Sequence, residues 1–140
     1  MSMDFKQSET KTNLMRAFAG ESQARNRYTF AAGQANKQGL YVIEHVFKFT
    51  ADQEKEHAQV FYEQLKELAG HNIEADGSYP VDINPNISEL LKMAQHNEYQ
   101  EHDDVYLHFA EKAQEEGFGK AAAKFRMIAE IEKIHGDRFG

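Results

Sequence analysis

Cysteine is absent from this 140-residue chain, which excludes a disulfide framework, a thiolate metal site and a cysteine nucleophile. A metal held by its side chains must sit among carboxylates and imidazoles, donors that suit iron, manganese or zinc. Tryptophan is also absent and proline occurs only as Pro80 and Pro85, so long stretches carry nothing that breaks a helix. An excess of positive charge is lacking too. Sixteen Lys and Arg face 23 Asp and Glu, a formal net charge of −7. That balance argues against a nucleic-acid binder and against docking on an anionic membrane. No apolar run approaches the ~20 residues of a membrane span, and the first six residues have no signal-peptide core. The expectation is a single cytoplasmic domain over residues 1–140, large enough for its own core.

Helical periodicity covers most of the chain. Spacings of three and four residues predict four helices, over about 9–38, 40–69, 86–116 and 118–139. Their inward stripes run through Leu14, Phe18, Glu21, Arg25, Tyr28 and Ala32 in the first; Phe47, Thr50, Glu54, His57, Phe61 and Leu65 in the second; Ile87, Leu91, Ala94, Glu98, Glu101, Val105, Phe109 and Ala113 in the third; and Ala121, Phe125, Ile128, Glu132, His135 and Phe139 in the fourth. Sharp turns at Gly39 and Gly117 make two antiparallel hairpins. Residues 70–85, with Asp76-Gly77 and both prolines, form one long crossover. An all-α bundle with one long crossover is the ferritin-like arrangement.

Seven of those stripe positions hold metal-binding side chains: Glu21, Glu54, His57, Glu98, Glu101, Glu132 and His135. A charged group in a core costs several kcal/mol (roughly, per ion), so seven of them need a common cation. Glu54-Lys55-Glu56-His57 and Glu132-Lys133-Ile134-His135 are both Glu-x-x-His. At i and i+3 on a helix, a Glu and a His can reach the same ion. One Glu from each of two helices plus Glu-x-x-His from the other two is the donor set of di-iron and di-manganese bundles. The halves also echo each other: Glu21 precedes Gly39 by 18 residues and Glu98 precedes Gly117 by 19, while Glu54 and Glu132 each come 15 residues after those glycines. Glu101 has no counterpart, since Ala24 stands at the matching place, so an asymmetric site is expected. Tyr28 and Tyr106 fall near the site, where a phenol either bonds a ligand carboxylate or bound oxygen species, or simply packs. His45, His71, His96, His102 and His108 carry no paired spacing and are expected at the surface.

Phe18-Ala19-Gly20-Glu21-Ser22-Gln23-Ala24-Arg25-Asn26-Arg27-Tyr28 closely resembles the rubrerythrins, as do Asp52-Gln53-Glu54-Lys55-Glu56-His57 and Glu132-x-x-His135. The resemblance implies a peroxidase that reduces hydrogen peroxide to water at two iron ions, with manganese or zinc as substitutes. It implies that Glu54 and Glu132 bridge the irons, that Glu21 is terminal on one, and that Glu98 and His135 are terminal on the other. His57 and Glu101 are then the redox-dependent pair, with Tyr28 and Tyr106 the site tyrosines. It further implies a homodimer, in some members with helices exchanged between subunits. Rubrerythrins typically add a rubredoxin domain with four cysteines. This chain has none, so an external electron donor such as a rubredoxin is expected. Two other functions share the same donor set: iron oxidation by oxygen, and a bundle with a structural metal.

Overall fold

The computed structural model describes residues 3–140. Five α-helices form the bundle: α1 (Glu9–Lys37), α2 (Tyr41–Glu63), α3 (Ile87–Gln100), α4 (Leu107–Glu115) and α5 (Gly119–Phe139). A six-residue π-helical segment, Glu101–Tyr106, joins α3 to α4, so the three read as one long interrupted helix. Among the described residues there is no strand, and no helix is long and apolar enough to cross a membrane. The second helix stops at Glu63, and a 3₁₀ turn at Lys66–Leu68 replaces its predicted last turn. Leu65 and Leu68 are still buried.

Both hairpin turns are built alike. Gly39 and Gly117 take φ of 75° and 87°, a left-handed conformation that costs a residue with Cβ about 1 kcal/mol or more. Each is succeeded by a backbone bond back across the helix end, Leu40 N–H to Ala35 O at 2.9 Å and Phe118 N–H to Ala113 O at 2.8 Å. These are Schellman caps, which satisfy carbonyls the ending helix leaves orphaned. Asn86 caps α3, its side-chain oxygen accepting the Glu89 N–H at 3.3 Å. The crossover lies back on the bundle through Gln34 Nε2 to Asn84 O at 2.6 Å, Asn97 Nδ2 to Asp82 Oδ2 at 2.6 Å and the Arg16–Asp76 ion pair at 2.6 Å.

Two apolar clusters fill the interior. One, toward the Gly117 end, gathers Leu14, Phe61, Ala110, Phe125 and Ile128. The other, toward the Gly39 end, gathers Tyr28, Ala32, Phe47, Leu90 and Phe139. The acidic stripe residues lie between them, so the chain's most polar interior is walled by its most apolar.

The start of α1 is tied to the far end of α4. Glu116 accepts from the Glu9 and Thr10 backbone N–H groups at 3.0 and 2.8 Å, and from the Thr10 hydroxyl. A carboxylate on the first orphan donors of a helix also meets its positive end. Burial pushes the Glu116 carboxyl up, but the bonds from Thr10 and Glu9 outweigh it and its pKa lies below the ordinary value. A depressed folded pKa contributes stability above the unfolded value, about 4.3, and loses it as pH falls through the folded value. Glu116→Gln is therefore expected to cost about 1–3 kcal/mol at neutral pH and to flatten the acid limb of a denaturation curve; an unchanged limb would refute this role.

Candidate metal centre

Five carboxylates and two imidazoles converge at mid-bundle from four helical rods. Glu21 comes from α1, Glu54 and His57 from α2, Glu98 and Glu101 from α3 and the π segment, and Glu132 and His135 from α5. Two groups of four place a ligand atom from every member within 4.8 Å of the others: Glu21, Glu54, His57 and Glu132; and Glu54, Glu98, Glu132 and His135. Glu54 and Glu132 belong to both. All six residues are buried, and Glu54, Glu132 and His135 are wholly so. The His57 and His135 rings face each other nearly parallel, their centroids 5.8 Å apart.

Several polar atoms of these groups have no hydrogen-bond partner: Oε2 of Glu21, both oxygens of Glu54, Oε2 of Glu98, Oε2 of Glu132, and Nδ1 of His135. Buried polar atoms are nearly always satisfied, and an orphan costs about 1–3 kcal/mol. Six orphans directed into one space form a site shaped for cations. Burial pushes the Glu21 carboxyl up against the pull of His57, with the Glu98 charge adding to the rise. Glu101 is pushed well above the ordinary value, first by burial and then by Glu98 and Glu21. At such carboxyls protons compete with a metal for the same oxygens up to higher pH than at an ordinary glutamate.

Glu98 and Glu21 are each held by a tyrosine from the other hairpin. Tyr28 of α1 donates to Glu98 Oε1 at 2.6 Å, and Tyr106 of the π segment donates to Glu21 Oε1 at 2.8 Å. In each case the phenol holds one oxygen and leaves Oε2 unpartnered. Of the two roles open to these tyrosines, the structure thus shows the carboxylate bond. Both phenols are pushed well above their ordinary pKa, by burial and then by neighbouring carboxylates, and stay protonated as donors.

The π segment changes which residues face inward. Regular periodicity beyond Glu98 predicts Glu101, Val105 and Phe109 on the buried stripe. The buried positions are instead Tyr106 and Ala110, with Glu101, Val105 and Phe109 only half-buried; Ala113, where the regular stripe also ends, is buried. A π turn takes up an extra residue and rotates the helix beyond it. The spacing shows the same extra residue: Tyr28 lies seven residues after Glu21, but Tyr106 lies eight after Glu98. Glu101 opens the segment and stands outside both groups of four. His57, its expected alternate, is inside one.

Gln53 went unnoticed in the stripe pattern. Its Oε1 lies 2.7 Å from His135 Nε2 and accepts from Arg138 at 3.2 Å. As Oε1 can only accept, Nε2 of His135 is the donor in this bond, and Nδ1 is turned to the carboxylates, 3.0 Å from Glu54 Oε1. Partners of this kind set tautomer and ring orientation, and their loss typically costs about 10–100-fold in metal affinity. Gln53→Leu is expected to weaken metal binding by about that factor with the helical content unchanged; titration with a competing chelator reads it, and unaltered affinity would sink the assignment. Adjacency to Glu54 is the one sequence signal it carries. His45, His71, His96 and His108 are exposed, and His102, half-buried, contacts Asp103 and Glu130 away from the groups of four.

The family profile for rubrerythrin matches residues 12–140. The rubrerythrin of Porphyromonas gingivalis is 46% identical over 139 residues, which cover 99% of this chain and 68% of that protein. The rubrerythrin of Clostridium perfringens is 45% identical over 135 residues, covering 96% of this chain and 69% of the relative. Among solved structures, nigerythrin in its fully reduced, all-ferrous state superposes with a TM-score of 0.82 at 31% identity, covering 95% of this chain and 67% of that one. The bundle with its crossover, the buried carboxylate and imidazole groups, and identity spread over nearly the whole length agree: this chain belongs to the rubrerythrin family of ferritin-like di-iron proteins.

Proposed function

We propose that this protein is a non-haem di-iron peroxidase that reduces hydrogen peroxide to water, using electrons from an external donor such as a rubredoxin. The observation that carries the reading is the pair of buried four-residue groups sharing Glu54 and Glu132, the donor set two adjacent irons require. In this reading Glu54 and Glu132 would be shared by both ions, with Glu21 and His57 holding one and Glu98 and His135 the other. A pair of ferrous ions, when bound, supplies the two electrons needed to split an O–O bond without releasing a hydroxyl radical.

The remaining tasks fall to the chain. Tyr28 and Tyr106 hold the terminal carboxylates in fixed rotamers. Gln53 keeps His135 Nδ1 turned to the carboxylates. The apolar clusters on either side exclude bulk water, which strengthens every charge interaction between them. Glu101, half-buried at the start of the π segment, would substitute for His57 when the site's positive charge rises, an anion in place of an imidazole. The exposed Phe30, Tyr41 and Val42 near the Gly39 turn supply apolar surface for a second copy of the chain in a homodimer.

Stopped-flow mixing of anaerobic protein carrying two ferrous ions per chain, with hydrogen peroxide and separately with oxygen, tests the reading. Oxidation at least about tenfold faster with peroxide is expected, a difference of about 1.4 kcal/mol in barrier. Faster reaction with oxygen would favour iron oxidation, and failure to load two ions would favour a structural metal. Glu101→Ala is expected to keep both ions and lower turnover about tenfold; wild-type rates in that variant would remove the exchange.

A further inference from the structure

Access to the buried groups is uneven. Glu54, Glu132 and His135 have no exposed surface. Glu101 and Tyr106, by contrast, line a cavity of about 470 Å³ between α1, the π segment and crossover residues 76–80. Tyr106 is itself bonded to Glu21, so the cavity wall lies one hydrogen bond from the first group of four. A second cavity, beside Tyr28, holds about 20 Å³, room for one water molecule.

The large cavity is far roomier than a peroxide molecule needs, since about 10–15 Å³ on the same scale already holds a water. Its lining is mixed. Glu101, Tyr106, Asn97, Gln100, Arg16 and Asp76 supply polar groups, and Ala17, Tyr79, Val105 and Phe109 supply an apolar side against which a hydrocarbon group can lie. Gly20 sits beneath it: a Cβ there would lie 3.8 Å from the Tyr79 ring and 4.0 Å from the Tyr106 hydroxyl, in ordinary contact. The missing side chain at position 20 therefore keeps open the space between the crossover and Tyr106. Tyr79 forms the outer wall, on a stretch of crossover fastened by Arg16 to the Asp76 carboxylate and carbonyl.

We propose that this cavity is a subsite for organic hydroperoxides, R–OOH with R a small branched or aromatic hydrocarbon group, and that Gly20 and Tyr79 set the size of R. The inference rests on the peroxidase reading. The peroxy end lies toward Glu101 and Tyr106, and R lies against Ala17, Val105, Phe109 and Tyr79. The O–O bond breaks, the oxygen on carbon leaves as the alcohol ROH and the outer oxygen as water. Two protons come from solvent and two electrons from the reduced iron, which the same one-electron donor protein then restores.

The test combines binding with turnover. The full chain, loaded with diamagnetic zinc, is titrated with cumyl alcohol, the product of cumene hydroperoxide, and amide shifts are tracked by NMR. Saturable shifts at Gly20, Tyr79 and Val105 are expected, and Gly20→Leu should abolish them. In the iron-loaded protein Gly20→Leu should lower kcat/KM for cumene hydroperoxide about tenfold, the order of effect a filled apolar pocket produces, and change that for hydrogen peroxide less than about twofold. Tyr79→Ala, on an exposed segment, provides the check if Gly20→Leu does not fold: KM for cumene hydroperoxide should rise with kcat unchanged. Absence of saturable shifts in the wild type, or equal loss of both substrates in a folded variant, overturns the subsite. Binding of cumyl alcohol by a protein that reduces neither peroxide would overturn the peroxidase reading and leave the cavity's hydrocarbon preference standing.

Discussion

Replacing Glu54 with leucine is expected to abolish metal binding and, at the same time, to raise the melting temperature of the metal-free protein. Glu54 is wholly buried and neither of its oxygens has a hydrogen-bond partner. Without a cation it adds two unpartnered oxygens to a space already crowded with the Glu21, Glu98 and Glu132 carboxyls. Leucine has similar volume, no charge and no need of a partner. Apolar replacement of buried charged groups commonly stabilises by about 1–4 kcal/mol, which corresponds to several degrees in melting temperature for a domain of this size, at roughly 3–5 °C per kcal/mol. Both metals should be lost together because Glu54 belongs to both groups of four. Glu56→Leu, two residues on and exposed, is the control and should leave metal binding intact. A lower melting temperature for metal-free Glu54→Leu would show that the carboxylates support the fold by themselves.

The gain in melting temperature on adding iron should widen as pH rises from about 4 to 8. In the metal-free protein the Glu21 and Glu101 carboxyls lie above their ordinary pKa, chiefly through burial. A carboxyl raised in the fold favours the folded state while it is protonated. That contribution is complete below the unfolded value, about 4.3, and disappears as pH rises through the folded one. The metal-free protein is therefore expected to weaken across this range. The loaded protein should do the reverse, since protons compete with metal for the same oxygens. A ligand present at about a thousand times its dissociation constant stabilises by about 4 kcal/mol, so the two melting curves should separate by about ten degrees or more near neutrality. Thermal scans of both forms in matched buffers read the difference. Parallel curves would mean that the carboxyls are ionised in the metal-free fold and satisfied by something else.

Much of this arrangement is legible in the sequence because helices translate spacing into direction. Glu54 and His57, or Glu132 and His135, share a face at i and i+3 wherever the chain stays α-helical, and stripe patterning alone points them inward. The structure brings six of the seven marked residues into two overlapping groups. The seventh, Glu101, stands outside both, where regular periodicity stops describing the helix. That periodicity carried the buried stripe through Glu101, Val105 and Phe109, while the π segment hands it to Tyr106 and Ala110. The clue was the unequal distance from Glu21 to Gly39 and from Glu98 to Gly117, 18 residues against 19. Spacing of that kind says that a residue has been added but not where the backbone absorbs it. Gln53 escaped for another reason. Its value depends on the position of His135, 82 residues away, and no local pattern carries that. The second helix's early end at Glu63 is similar, for Leu65 and Leu68 stay buried through a 3₁₀ turn and keep the apolar rhythm.

The crossed tyrosines bear on how the protein comes into being. Tyr28 emerges from the ribosome with the first hairpin, yet the carboxylate it holds belongs to Glu98; Tyr106 belongs to the second hairpin and holds Glu21 of the first. Each hairpin thus carries a component that only the other can use, and the helix bearing Glu132 and His135 is made last. Domains commonly begin folding during synthesis, N-terminal parts first. Here the first hairpin can close early around Gly39, but a nascent chain ending before residue 132 lacks one shared carboxylate and the second imidazole. Neither group of four is therefore complete until α5 has been made, and any metal that needs either group must wait for it.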